Sequence, residues 1–263
     1  MLDKWTNSYN LVKSKKPMSI KKKYDLGSAV YHSQEFKRVK ELDRLEINKK
    51  PFRFDIINFL LSKLNRATTY LEIGVRNPAD NFDRINATNK YSVDPGIEYK
   101  ENPVDYPLTS DEFFAQLRSG KVLKPDINFD VIFIDGLHTA DQVEKDIQNA
   151  LAFIKDDGFI VLHDCNPPTE WHARENHGFH LSPAGYNWNG TTWKAFVKAR
   201  MNKKIYSCCV DTDWGVGILS KTCEIGKHSS LETKFYDFAD LNANRNELLG
   251  LVSFDELKEQ ITA

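Results

Sequence analysis

Glu72, Asp94, Asp135 and Asp164 stand at or beside the ends of four short apolar runs, with His138 three positions after Asp135 and His163 immediately before Asp164. Carboxylates gathered on one edge raise each other's pKa, so such a set calls for a counterpart: a cation, a hydroxyl or an amine. A histidine among them adds a group that takes up or releases a proton near neutral pH. His138 is the candidate general base, the alternative being an N-terminal helix cap that faces solvent, a place more often held by Ser, Thr or Asp. His163 is a candidate substrate contact, the alternative being a buried strand-end residue that orients Asp164.

The elements that must hold these groups read as an α/β, Rossmann-like, doubly wound and mostly parallel sheet with helices on both faces. Strands are expected at Thr69–Val75, Lys90–Asp94, Phe129–Asp135 and Phe159–Leu162, with two later ones near 205–210 and 215–219. Phe129–Asp135 is apolar on both faces and therefore central. A helix is expected after Pro51 with Phe54, Ile57, Leu60, Leu61 and Leu64 on one face, and another after the capping box Thr109-Ser110-Asp111-Glu112. A third carries Ala140, Val143, Ile147, Ala150, Leu151 and Ile154, with Asp157-Gly158 as its stop, and a fourth covers about 192–200. Open parallel sheets bind ligands beyond the carboxyl ends of their strands, where all the acids above fall.

Asp94 lies 20 residues after Gly74 at the end of the next strand, a place suited to an acid that holds a ribose diol. Gly74 is followed by Val75-Arg76-Asn77-Pro78, so the G-x-G-x-x-G turn that admits a pyrophosphate is missing. That argues against a dinucleotide and a dehydrogenase, and for a ribose-bearing cofactor without phosphates such as S-adenosylmethionine.

Three zones follow along the chain: a helical lead-in over 1–66, the catalytic α/β unit over 67–222, and a helical tail over 223–263. The two helical ends could form a substrate lid or a homodimer contact. Net charge is -1, although residues 1–50 hold 13 Lys/Arg against 6 Asp/Glu. Neither value marks a nucleic-acid partner. Lys13, Lys15, Lys16 and Lys21 to Lys23 read as a solvated terminal segment with no apolar helix face beside it. No signal sequence or membrane-spanning run is expected, and Cys165, Cys208, Cys209 and Cys223 form no C-x-x-C. A cytoplasmic protein with reduced thiols fits these features.

The segments Tyr70-Leu71-Glu72-Ile73-Gly74, Ser92-Val93-Asp94-Pro95-Gly96, Thr109 to Phe114, Phe133-Ile134-Asp135-Gly136-Leu137-His138 and Val161 to Pro167 together resemble the class I S-adenosylmethionine-dependent methyltransferases. The order Ile-Asp-Gly-x-His, helix, His-Asp is similar to the small-molecule and sugar O-methyltransferase branch, which includes macrolide-sugar enzymes. The resemblance implies that Glu72 and Gly74 line the methionine part of the cofactor, Asp94 holds the ribose, Ser110 and Asp111 flank the adenine, and Asp135 sits beside the transferring methyl. It also implies catalytic roles for His138, Asp135 and Asp164. In metal-dependent relatives such as catechol O-methyltransferase, the acids matching Asp135 and Asp164 bind Mg²⁺, and a third ligand, Asp or Asn, follows the second directly. Cys165 stands there, a poor partner for a hard cation, which leaves Asn166 or His163 as substitutes or a metal-free enzyme. The alternative to an enzyme is a catalytically silent domain of this fold that serves binding or assembly.

The loop 165–193 gathers Trp171, His172, His177, His180, Tyr186, Trp188, Asn189 and Trp193. Its rings and amides suit a carbohydrate or related small-molecule acceptor, with His163, Asn166, Tyr186, Trp188 and Asn189 as candidate contacts. The three histidines match no strong zinc spacing.

Overall fold

The computed structural model describes residues 17–98, 101–231, 233 and 236–262. Of the basic stretch, Lys13, Lys15 and Lys16 lie outside the described residues. Seven strands form one sheet: β1 (Thr69–Ile73), β2 (Asn89–Val93), β3 (Phe129–Ile134), β4 (Ile154–Leu162), β5 (Tyr206–Val210), β6 (Val216–Ser220) and β7 (Leu251–Val252). They run in the order β2-β1-β3-β4-β6-β5-β7. β1 is parallel to β2 and β3, β3 to β4 and β5 to β7, whereas β6 is antiparallel to both β4 and β5. The chain leaves β1 toward β2 and returns on its other side as β3, so strand order reverses beside β1. The carboxyl ends of β1 and β3 therefore flank the crevice where such sheets bind ligands.

Eight helices are described: α1 (Ile20–Tyr31), α2 (Gln34–Ile47), α3 (Arg53–Lys63), α4 (Ser110–Arg118), α5 (Ala140–Phe153), α6 (Thr192–Arg200), α7 (Phe238–Leu249) and α8 (Phe254–Thr262). Side-chain alternation along the strands sends them to two cores. Leu71, Ile132 and Ile134 pack with Phe113, Val143, Phe196 and Leu241 of α4 to α7. Tyr70, Val131 and Phe133 pack on the other face with Ile57 and Leu60 of α3 and Leu257 of α8. This is the Rossmann-like sandwich expected from the pattern of short apolar runs and amphipathic helices.

Local chemistry explains the element ends. Thr109 Oγ1 accepts the Glu112 N–H at 3.2 Å and Glu112 Oε2 accepts the Thr109 N–H at 3.0 Å, closing the capping box that starts α4. α3 starts later than Pro51 suggests, with Phe52 as its N-cap and its N–H donated to Asp55 Oδ2 at 3.0 Å. One expectation is corrected at α5. The helix stops at Phe153, and Ile154 opens β4 by pairing with Phe129, because the strand edge offers a buried partner that another helical turn would not. A second correction concerns α1, which buries no residue and exposes Ile20, Tyr24 and Leu26, so apolar side chains do accompany Lys21 to Lys23.

Candidate functional site

β3 ends one residue before Asp135, whose N–H donates to Ile73 O at 2.8 Å and locks it beside the end of β1. Asp164 lies two residues beyond β4 with a φ of 59°, a left-handed turn uncommon for a residue with a side chain. That turn faces its carboxylate toward Asp135 and His138. Among the described residues these three are the one group with metal-ligand potential, their ligand atoms all within 4.8 Å of one another.

His138 sits between the acids, Nε2 at 3.3 Å from Asp135 Oδ1 and Nδ1 at 3.1 Å from both Asp164 Oδ2 and Trp188 O. Its ring stacks on Trp188 with centroids 5.2 Å apart. It is therefore not a solvent-facing cap, and Thr139 is the N-cap of α5. Burial disfavours the His138 imidazolium, but Asp164 and Asp135 outweigh it and raise its pKa to about 9. His163 places Nδ1 at 3.2 Å from Asp135 Oδ1 and 3.4 Å from Asp164 Oδ2. It too is held well above the ordinary imidazole range, since the attraction of Asp135 and Asp164 exceeds the penalty of its burial. Burial alone would raise the Asp135 carboxyl, yet His163, His138 and Arg53 hold it far below the usual carboxylate range.

Asn189 completes one wall: its Nδ2 donates to Asp164 Oδ1 at 2.7 Å, while its buried Oδ1 has no hydrogen-bond partner among the described residues. Gly190 comes close enough that a Cβ there would lie 2.1 Å from His138 O. Asn166 lies apart from the cluster, donating to Asp211 Oδ1 at 2.9 Å and accepting from Arg245. Cys165 turns the opposite way from Asp164, its thiol buried 3.6 Å from His163 O and its pKa pushed up by that burial. The position following Asp164 thus supplies no ligand, and the donors offered to a divalent cation are the Asp135 and Asp164 carboxylates, with the His138 ring within ligand reach of both only when it is unprotonated.

Of the cofactor candidates, Gly74 lies against this cluster and Asp94 against the loop that follows Gly74. Gly74, at φ 84°, approaches β3 so closely that a Cβ would lie 2.3 Å from Asp135 O. Asp94 Oδ2 accepts the N–H groups of Val75 at 3.0 Å and Arg76 at 3.1 Å, and Oδ1 accepts that of Gly96 at 2.7 Å. The acid thereby shapes the loop after β1. Ser110 Oγ and Asp111 Oδ1 both accept from Gln142 of α5, at 3.1 and 3.2 Å. Tyr186 is exposed and stacks on His180 at 4.4 Å, away from the acids. His172 is buried, bonded to Asp43 at 2.6 Å and Thr169 at 2.9 Å, so it does not join His177 and His180 in a metal group.

Glu72 is buried beneath this edge, its Oε2 accepting from Tyr70 Oη at 2.6 Å and Asn81 Nδ2 at 2.8 Å. Burial lifts its pKa from 4.5 to about 7. A raised folded pKa adds stability that is whole below the unfolded value and is lost as pH rises through the folded one. Ionising Glu72 between those limits costs about 3 kcal/mol at about 1.4 kcal/mol per unit. Glu72→Gln keeps an acceptor for both donors, so its melting temperature should match the wild type at about pH 4 and exceed it at about pH 8. An equal pH response of the two proteins refutes this.

Sequence reasoning missed Arg53 and Asp213. Arg53 Nη1 donates to Asp213 Oδ2 at 3.2 Å and lies 3.4 Å from His163 Nε2, while its Nε is 3.8 Å from Asp135 Oδ2. The signal was present. Arg53 falls on the row of Ile57, Leu60 and Leu64, and a cation on a buried row implies a buried acid.

A strand-order reversal beside β1, a tight glycine after β1, and acids with a histidine just beyond β3 and β4 together form a ligand-binding crevice at the carboxyl edge of a Rossmann-like sheet. Residues 61–165 match the family model described as a methyltransferase domain, which spans α3's end to Cys165. No curated protein matches the chain. Among solved structures the chain is similar to an O-methyltransferase from Bacillus cereus in complex with SAH, at 13% identity over 75% of this chain and 97% of that one, with a TM-score of 0.43. It is also similar to the SAH-bound methyltransferase PaMTH1 of Podospora anserina, at 14% identity, 80% and 99% coverage and a TM-score of 0.40. A further similarity is to MycE methyltransferase from the mycinamycin biosynthetic pathway, at 15% identity, 71% and 58% coverage and a TM-score of 0.39.

Proposed function

We propose that the protein is an S-adenosylmethionine-dependent O-methyltransferase that methylates a hydroxyl of a sugar or related small molecule, with His138 as general base. The observation that carries this reading is the His138 ring held between Asp135 and Asp164 at the carboxyl ends of adjacent parallel strands. In the reaction the acceptor oxygen forms a bond to the methyl carbon, the carbon–sulfur bond breaks, and the hydroxyl proton passes to a ring nitrogen of His138. The two acids stabilise the imidazolium that results. Gly74 and Asp94 would present the cofactor to this cluster, and Trp188 and Asn189 would bound the acceptor. Asp135 and Asp164 would hold a divalent cation, which when bound would supply positive charge that acidifies the hydroxyl. The four unpaired cysteines support a reducing, cytoplasmic setting. Homodimer contact through the helical ends belongs to the same proposal.

Calorimetric titration with S-adenosylhomocysteine, with and without Mg²⁺, tests the cofactor half. Wild type should bind, and Asp94→Ala should lose about 10- to 100-fold in affinity, the worth of a charge-assisted hydrogen bond. Absence of binding by the wild type in both conditions would overturn the reading and leave a silent binding or assembly domain.

A further inference from the structure

The segment matched by the methyltransferase family ends at residue 165, yet the acid cluster is held from outside it. Asp213 sits in the tight turn between β5 and β6 with a φ of 45°, and it is 6% exposed. Arg53 opens α3 and meets it three times: its backbone N–H donates to Asp213 Oδ2 at 2.8 Å and its Nη1 to the same oxygen at 3.2 Å and to Oδ1 at 3.3 Å. Asp213 Oδ1 in turn lies 3.5 Å from His163 Nε2. The opposite ring nitrogen of His163 is the one that faces Asp135 and Asp164. Arg53 Nε, buried and without a hydrogen-bond partner among the described residues, faces Asp135 from the same side.

An imidazole between two acid layers has two ring flips available, and only one places Nδ1 on the catalytic carboxylates. Asp213 faces the far nitrogen, and the Arg53 guanidinium holds that carboxylate through Nη1, at 3.3 Å from Oδ1 and 3.2 Å from Oδ2, while lying 3.4 Å from His163 Nε2 itself. We propose that Arg53 is a positioning residue for methyl transfer, acting through Asp213 to orient His163 against Asp135 and Asp164. The proposal rests on reading the cluster as the methyl-transfer site.

Nitrogen-15 NMR of histidine-labelled protein tests it, with the His163 signals assigned by His163→Gln. In the wild type the His163 ring N–H protons, on the labelled nitrogens and held between Asp213 and the Asp135–Asp164 pair, should give resolved signals. In Arg53→Met those signals should shift and broaden toward exchange with water, and Arg53→Lys should restore them. Asp213→Asn, which keeps the shape of the turn, should reproduce the shift and decides the matter should Arg53→Met fail to fold. With any acceptor the wild type methylates, kcat of Arg53→Met should fall about 10- to 100-fold at unchanged KM for S-adenosylmethionine, the scale of a small misplacement. A purely structural Arg53 would lower the melting temperature and leave the ring signals of the folded protein in place, which would overturn the proposal. Binding of S-adenosylhomocysteine by the wild type judges the methyl-transfer reading separately.

Discussion

Glutamine in place of His138 should lower methyl transfer by about 10²- to 10⁴-fold, the usual contribution of a positioned general base. Glutamine fills a similar volume and can still bond to Asp135, so affinity for S-adenosylhomocysteine should stay within a few-fold of wild type. The loss belongs in kcat. The pH profile sharpens the expectation. Asp164 and Asp135 raise the His138 pKa to about 9, so at neutral pH most of the free protein carries the protonated, inactive ring. The base form grows with pH, and kcat/KM should climb about tenfold per unit until it levels near that value. Asp164→Asn removes one of the charges that raise the pKa and should move the inflection downward. A His138→Gln protein that retains turnover within threefold of wild type would end the general-base assignment.

The second large effect is expected at Gly74. An alanine there must adopt a φ of 84°, and its Cβ would meet Asp135 O at 2.3 Å and Gly136 Cα at 2.4 Å. Neither neighbour is free to give way, because the Asp135 N–H is bonded to Ile73 O and the Gly74 N–H to Val93 O, both at 2.8 Å. Backbone strain of about 1–3 kcal/mol and overpacking of about 1–3 kcal/mol add to a loss of about 2–6 kcal/mol. The ends of β1 and β3 would also part, and S-adenosylhomocysteine binding should vanish. Gly27→Ala is the matched control, since a Cβ there meets nothing within 4 Å. Thermal melting and calorimetry on both variants check this, and a Gly74→Ala protein as stable as Gly27→Ala would show that the crevice tolerates a side chain.

The sequence alone exposed some of these features and concealed others for identifiable reasons. β3 and the Phe159–Leu162 part of β4 are apolar runs that stop at Asp135 and at His163-Asp164, so their existence and the alignment of Asp135 and Asp164 could be read directly. The end of α5 could not, because Ile154 satisfies a helical stripe and a buried strand equally well. The direction in which Cys165 turns is hidden for a related reason. Neighbouring residues in a strand point to opposite sides, and nothing in the order His163-Asp164-Cys165 says where the strand turns left-handed. Arg53 and Asp213 are 160 positions apart, and no local pattern joins them. Long-range electrostatics of that kind become visible only once the strands and helices have been brought together.

The same separation bears on the order in which this protein matures. Asp43 reaches His172 across 129 positions, Glu35 reaches Trp171 across 136 and Glu46 reaches the Trp214 N–H across 168. A ribosome adds about 5–20 residues per second, so α2 and the start of α3 wait roughly 6–34 s after synthesis before their partners exist. The β1 to β4 layer can assemble in that interval, but the acid-lined edge cannot close until the loop before β6 has emerged. The nascent chain should therefore acquire its sheet well before it becomes competent, and the waiting N-terminal helices are the segment most in need of protection on the ribosome.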